Sequence, residues 1–340
     1  MYYNTTDSAH FYRTYSGGVD VLDYESMTTS SLCNKPNCKH SSTDCIVQRL
    51  NGNVPMLSET KAYYFIDDEP SIEEGEDGKP FLKLGSTLYC FDFAANIEEK
   101  LFYIDGVSVA NSCYGWLLHE GSIYFIGNHY RKIYDENGIL TQCTGTGGEM
   151  KLYSVNLETQ EMQNFGDLYN PTELAKYYPA TLNSGEVYME GVFDNKIYFN
   201  VAFVADASHT FYVTSFDLKT KTYSGEPENY NAIFFEAVAF ASNDYLAISS
   251  NQKATVYRKG ESEPIVFRDD TFNDYSQLSV FDDVIYFNGK AYMLKTGEVR
   301  TVDRLTDKQV VAKYGDSYIV SDVGMQSGFE KIPVSELLPV

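Results

Sequence analysis

Long apolar runs are missing from this 340-residue chain. Nothing approaches the ~18 consecutive apolar residues that cross a bilayer as a helix, so no transmembrane segment is expected. Basic residues are scarce: 26 Lys and Arg stand against 48 Asp and Glu, a formal charge of −22. No basic stripe offsets this, and such a surface repels phosphate backbones and anionic membranes, which excludes nucleic-acid binding. Trp occurs once and His five times. Catalytic signatures are also lacking, with no Gly-x-Ser-x-Gly elbow and no His-Glu-x-x-His pair. Gly145-Thr146-Gly147-Gly148 has neither the spacing nor the following helix of a phosphate cradle and reads as a flexible tip. Met1-Tyr2-Tyr3-Asn4 opens without the basic start and apolar core of a secretory leader. The chain is therefore expected to be either cytoplasmic or a trimmed mature form.

What is abundant is aromatic and apolar. The 43% apolar content, with 29 Tyr and 21 Phe, is far above that of a disordered chain. These residues recur in a fixed context, a tight polar turn followed by a strand of Ile, Tyr and Phe. Glu59-Thr60-Lys61 precedes Ala62 to Phe65, Glu120-Gly121-Ser122 precedes Ile123 to Phe125, and Asp194-Asn195-Lys196 precedes Ile197 to Phe199. Asp282-Asp283 precedes Val284 to Phe287, with weaker copies at Tyr245 and Tyr318 and a seventh at Met1-Tyr2-Tyr3. Asn, Asp and Gly tolerate the positive φ of a two-residue hairpin, and aromatic and β-branched residues suit a pleated surface.

Downstream of these copies lies a second element, an alternating strand ending in Asp-x-x-Thr or Lys-x-Gly. It reads Val21 to Ser26, Leu88 to Asp92, Leu152 to Thr159 and Val213 to Thr220, with degraded copies at Tyr257 and Tyr292. Each unit then holds about four antiparallel strands, the size of a propeller blade. The expectation is an all-β chain forming a single β-propeller domain over residues 1–340, with seven blades, six or eight being the alternatives. Seven units average about 49 residues each, slightly more than the ~40–45 of a minimal blade. The first unit reads as lacking its innermost strand and the last, from Val310 to Leu338, as lacking its outermost. Insertions over 69–86, 128–150 and 170–185 take up the surplus. The third is expected to carry a short helix capped by Asn170, with Pro171 at its first position.

The Asp-Asn/Gly-x-Ile-Tyr-Phe repeat, as at Asp194 to Phe199, and the Asp-Leu-x-Thr of Asp217 to Thr220 resemble the TolB-like and lipoprotein-receptor-type β-propellers of Gram-positive gut anaerobes. The resemblance spans nearly the whole chain, and its motifs specify the blade, not a chemistry. It implies a secreted or surface location and a binding or scaffolding role, and it supplies no catalytic residues to carry over.

One segment stands apart from the scaffold: Leu32-Cys33-Asn34-Lys35-Pro36-Asn37-Cys38-Lys39-His40-Ser41-Ser42-Thr43-Asp44-Cys45. It is similar to a segment of those surface propellers. Cys33, Cys38, His40 and Cys45 could complete a tetrahedral Zn²⁺ site, structural because four protein ligands leave no position for water. The Cys-x4-Cys-x-His-x4-Cys spacing is not that of a standard finger. In an oxidising exterior two of the three Cys could instead form a disulfide, or all three could remain free thiols, and spacing does not choose among these.

Other candidates have plainer explanations. Cys90 reads as a small buried hydrophobe, while Cys113 and Cys143 flank strands of the third unit and are open to pairing. Seven carboxylates crowd the run from Asp67 to Asp77 without the ordered spacing of a calcium loop, and a solvated loop is expected. Asp135-Glu136-Asn137-Gly138 reads as a turn. His10, His119, His129 and His209 are isolated. Function is expected to be binding: an extracellular or surface-anchored monomer holding a glycan, peptide or protein, with Trp116, Tyr130, Tyr177 and Tyr178 as the contact aromatics. The alternative is a propeller hydrolase that uses a metal and carboxylates in the central channel.

Overall fold

The protein is described from a computed structural model, which covers residues 4–5, 9–13, 19–33, 35, 37–42, 45–50, 55–58, 60–69, 71–74, 78, 80–95, 97–109, 115–138, 140–169, 185–205, 208–224, 236–272, 278–323 and 328–338. The chain is nearly all-β. Small antiparallel sheets follow one another along it, each drawn from strands consecutive or nearly so in sequence. That succession is the blade pattern of a β-propeller. Two compact units are present: Met1–Thr60 with Gly191–Asp194 and Glu236–Val340, and Lys61–Glu190 with Asn195–Phe235.

The first unit holds the first sheet of the chain and the last three. The first sheet has four strands, Asn4–Thr5, Ala9–Arg13, Val19–Asp23 and Thr29–Ser31. This corrects the expectation of a missing innermost strand: Ala9–Arg13, which carries no Tyr-Phe signature, is its second strand. The fifth sheet runs Glu236–Ala241, Tyr245–Ser250, Lys253–Arg258, Ile265–Arg268, and the sixth Ser279–Phe281, Val284–Phe287, Lys290–Met293, Val299–Thr301. The seventh has three strands, Lys308–Tyr314, Ser317–Asp322 and Glu330–Pro333, so its outermost strand is indeed absent among the described residues.

Strand alternation sends residues to both faces of a sheet, and within this unit neighbouring sheets meet face to face. Ile285 and Tyr292 of the sixth sheet pack with Ala247, Val256 and Phe267 of the fifth. Val284, Tyr286 and Ala291 pack with Val310, Tyr318 and Val320 of the seventh. The other face of the seventh, Ala312 and Ile319, packs on Leu22 and Tyr24 of the first. Val310 and Ala312 have the same parity yet face opposite sides, because the ladder slips between them; one bulged residue inverts the faces. Lys331 fixes the same seam by donating to the Tyr24 carbonyl at 3.1 Å and lying 4.5 Å from the Tyr314 ring centroid.

The second unit carries the longer strands. Lys61–Asp67, Gly85–Asp92 and Ile97–Asp105 pair in one sheet. The next is built on Trp116–His119, Ser122–Tyr134, Leu140–Asn156 and Met162–Tyr169. The third is built on Gly185–Phe193, Lys196–Ala205, Ser208–Asp217 and Thr222–Ser224. Rings join them: Phe65 lies 4.8 Å from Phe125 and 5.5 Å from Trp116, and Phe165 lies 4.8 Å from Phe216.

Where the Tyr-Phe signature occurs in these sheets, its strand pairs with the one whose end carries the Asp-x-x-Thr signature or its degraded copy. The chemistry of the second signature is visible: Asp217 Oδ1 accepts from the N–H groups of Lys219 and Thr220 at 2.8 Å each, and Lys221 then takes a φ of 59°. Asp23 with Ser26 and Asn156 with Thr159 repeat the side-chain cap.

Two insertions depart from expectation. Part of the acidic run is strand and not loop: Ser71–Glu74 and Pro80–Lys83 form a two-stranded ribbon, exposed along Ser71–Glu74, with Lys83 pairing Glu73 at 3.0 Å. Opposite-charge pairing across the ribbon offsets the crowding of carboxylates. The insertion over 128–150 continues the hairpin. Gly145-Thr146-Gly147-Gly148 lies within Leu140–Asn156 instead of at a tip, where the ladder skips from Arg131–Thr144 to His129–Glu149 and so passes Tyr130. The tip is Asp135-Glu136-Asn137-Gly138, a turn closed by Gly138 N to Asp135 O at 3.0 Å. The helix expected within 170–185 lies outside the described residues.

Candidate metal centre

The four-donor segment begins where the first sheet ends. Leu32 N donates to Val19 O at 3.0 Å, which carries Cys33 into the interior, where it is buried. A turn follows, Cys38 N donating to Lys35 O at 3.2 Å, and Asn37 and His40 both take left-handed backbone, with φ of 59° and 53°. Such curling turns successive side chains inward over a short stretch of chain. Cys45 heads the helix Ile46–Leu50, its carbonyl accepting from Gln48 and Arg49 N–H at 3.0 Å each. Ile46, Val47 and Leu50 are buried and anchor that helix. The Gln48 amide donates to the His40 carbonyl, closing the segment on itself.

These local devices bring Cys33, Cys38, His40 and Cys45 together: their donor atoms all lie within 4.8 Å of one another. A tetrahedral zinc with Zn–S bonds of ~2.3 Å needs sulfurs about 3.8 Å apart, so only a small contraction completes the site. His40 Nδ1 stands 3.4 Å from Cys45 Sγ, which identifies Nδ1 as the ring nitrogen facing the sulfurs. No disulfide joins Cys33, Cys38 or Cys45. Burial pushes the Cys33 thiol up to about 11, whereas Cys38 is lowered, chiefly by the His40 backbone N–H donating to its sulfur. Metal binding at Cys33 would release its proton, because the ligand is the thiolate. The donor set of three sulfurs and one imidazole suits a soft or borderline metal.

The other expected site residues are dispersed. Trp116 is half-buried and packs on Phe65. Tyr130 lies in Ser122–Tyr134 opposite the irregular stretch, and its side chain is outside the described set. Tyr177 and Tyr178, like Cys113, also lie outside the described residues. Cys90 is buried in its strand, and burial raises its pKa. His129 Nε2 meets the Tyr153 hydroxyl at 2.6 Å.

Several polar clusters were not legible in the sequence. Asp283 accepts from Tyr245 OH at 2.8 Å, Arg258 Nη2 at 2.6 Å and Lys295 Nζ at 2.8 Å, while its neighbour Asp282 accepts from Tyr318 OH at 2.7 Å and Lys313 Nζ at 2.5 Å. Asp269, beside a cavity of about 620 Å³ lined also by Gln252, Arg268 and Lys290, is held by Lys290, Tyr292 and Thr271. Glu190 accepts from Asn200 Nδ2 at 2.8 Å, and burial raises its pKa. Each of these carboxylates is engaged by partners of its own fold.

No family model matches the chain, and no curated protein does. Among solved structures it is similar to the β-propeller domain of the Trilobed protease from Pyrococcus furiosus, described with an open velcro topology, at 8% identity and a TM-score of 0.43 over 100% of this chain and 97% of that one. TolB from Acinetobacter baumannii is similar at 10% identity and a TM-score of 0.31, over 96% and 63%. Oligogalacturonate lyase from Vibrio parahaemolyticus is similar at 10% identity and a TM-score of 0.39, over 95% and 90%. The succession of small antiparallel sheets defines the class by itself, an all-β propeller.

Proposed function

We propose that the chain is a single β-propeller domain of seven blades that works as an extracellular or surface-anchored binding module, with a structural zinc holding the loop after its first sheet. The observation that carries this reading is the convergence of Cys33, Cys38, His40 and Cys45. Four protein donors fill a tetrahedral shell, so the metal fastens chain and has no open position for a substrate or water. Work is then left to surfaces, and a glycan, peptide or protein would be held by Trp116, Tyr130, Tyr177 and Tyr178. The chain is proposed to act as a monomer.

Metal analysis of protein purified without added zinc tests the reading, combined with thiol titration. One zinc per chain is expected, with Cys33, Cys38 and Cys45 becoming titratable only after a chelator is added. The chelator should also lower the urea midpoint, since a metal at a thousand times its Kd contributes about 4 kcal/mol. Metal-free protein with three titratable thiols, or with a disulfide among them, overturns it.

A further inference from the structure

We infer that the centre formed by Cys33, Cys38, His40 and Cys45 is an oxidant-sensitive modification site: a peroxide oxidises Cys38, its sulfur then bonds to a buried neighbour, and the metal is released. This rests on the zinc reading above and adds a regulation of the same site.

Sulfurs close enough to share one metal are nearly close enough to bond to each other. The four donor atoms lie within 4.8 Å of one another. A disulfide needs Sγ atoms ~2.05 Å apart on Cβ atoms ~3.8 Å apart, a gap that side-chain rotation and a small backbone shift close. The three cysteines differ in exposure: Cys33 and Cys45 are buried, whereas Cys38 is half-buried. Cys38 is therefore the sulfur that a small oxidant meets first. The two buried sulfurs are also the anchored ones. Cys33 follows Leu32, whose N–H bonds to the Val19 carbonyl of the first sheet, and Cys45 heads the helix fixed by Ile46, Val47 and Leu50. Cys38 sits between them in the turn closed on the Lys35 carbonyl at 3.2 Å, so it is the one that moves.

Zn²⁺ has no redox chemistry of its own, and both electrons come from sulfur. The Cys38 sulfur attacks one oxygen of hydrogen peroxide; the O–O bond breaks, hydroxide leaves, and Cys38 becomes a sulfenic acid. The sulfur of Cys33 or Cys45 then attacks Cys38 Sγ, forming the S–S bond as the S–O bond breaks and a second hydroxide leaves. Each hydroxide takes up a proton. Two thiolates are thus oxidised to one disulfide, and the peroxide is reduced to two waters. The disulfide offers no thiolate, and a shell cut to one sulfur and His40 does not retain the metal. With the metal goes the shared tie between the end of the first sheet, the turn and the helix Ile46–Leu50.

The test treats the full chain, purified under reductant and loaded with Zn²⁺, with hydrogen peroxide in the presence of a chromophoric chelator. One Zn²⁺ per chain is expected to appear as two thiols disappear, with a mass loss of two hydrogens and a cross-linked peptide that contains Cys38. Dithiothreitol with added Zn²⁺ should restore both thiols and metal. Cys38→His, which keeps four donors, is expected to release Zn²⁺ about tenfold more slowly, because its remaining sulfurs are buried. Zn²⁺ retained at peroxide concentrations that oxidise free cysteine overturns the inference. So does release through sulfinic or sulfonic acids that dithiothreitol does not reverse, a cross-link that joins Cys33 to Cys45, or loss of metal from Cys38→His at the parental rate. Reduced parent protein that takes up no Zn²⁺ removes the zinc reading, and the switch with it, before any oxidant is added.

Discussion

Asp282 and Asp283 show how much one pair of residues can carry. Both take left-handed backbone, with φ of 51° and 63°, as a two-residue hairpin turn requires, and this was readable from sequence. Their side chains were not. Asp283 reaches back to Tyr245 and Arg258 of the fifth sheet, and Asp282 reaches forward to Lys313 and Tyr318 of the seventh, so one turn clamps three sheets. Burial by itself would raise the Asp283 carboxyl, but Lys295, Tyr245 and Arg258 outweigh it and hold the group below its ordinary value of 3.8. A carboxyl depressed in the folded state stabilises fully above its unfolded pKa and loses that contribution as pH falls through the lower folded value. Asp283→Asn is expected to cost about 1–3 kcal/mol at neutral pH. The gap from the parent should narrow below about pH 4. Urea denaturation at pH 7 and pH 3 measures both, and a gap that is constant with pH would contradict the assignment.

Hairpins are the elements in which sequence and structure agree best. The Glu120-Gly121 turn joins Trp116–His119 to Ser122–Tyr134 with φ of 46° and 73°. Glycine has no Cβ to clash there, whereas exposed Glu120 bears strain that Asn tolerates better. Glu120→Asn is therefore expected to raise stability by about 0.5–1 kcal/mol, read as a higher urea midpoint with an unchanged slope; a lowered midpoint would mean that the Glu120 side chain has a role beyond the turn. Element edges were less legible. The acidic run near Glu73 looked like solvated loop because its composition is polar, yet cross-strand pairing with Lys83 makes it a ribbon. Ala9–Arg13 escaped notice because it lacks the Ile-Tyr-Phe pattern, and only pairing on both sides, with Asn4–Thr5 and Val19–Asp23, defines it as a strand.

At the scale of the whole molecule the first and last sheets meet although they are far apart in sequence. Tyr24 is completely buried at that seam, 5.8 Å from the Tyr314 ring, and its hydroxyl finds no hydrogen-bond partner among the described residues. Removing an unpaired buried hydroxyl recovers its desolvation cost, so Tyr24→Phe should be neutral or stabilising by about 1 kcal/mol. Tyr24→Ala leaves a cavity between the sheets and should cost about 3–5 kcal/mol. Equilibrium denaturation of the two variants distinguishes a packed seam from a loose one: equal stabilities would show that the ring contributes nothing to closure.

The amino-acid order by itself determined the local menu, because turns, strand alternation and side-chain caps depend on residues within a few positions of each other. Asp217 caps its own turn, and the tight sequence spacing of Cys33, Cys38, His40 and Cys45 put a four-donor cluster within reach before any fold was known. Tertiary structure alone decided which faces meet, because packing joins residues hundreds of positions apart. It set Leu22 against Ile319 and turned Ala312 to the opposite side from Val310 through a single bulge. Those outcomes depend on sheet pairing and burial in three dimensions, which no short-range pattern encodes.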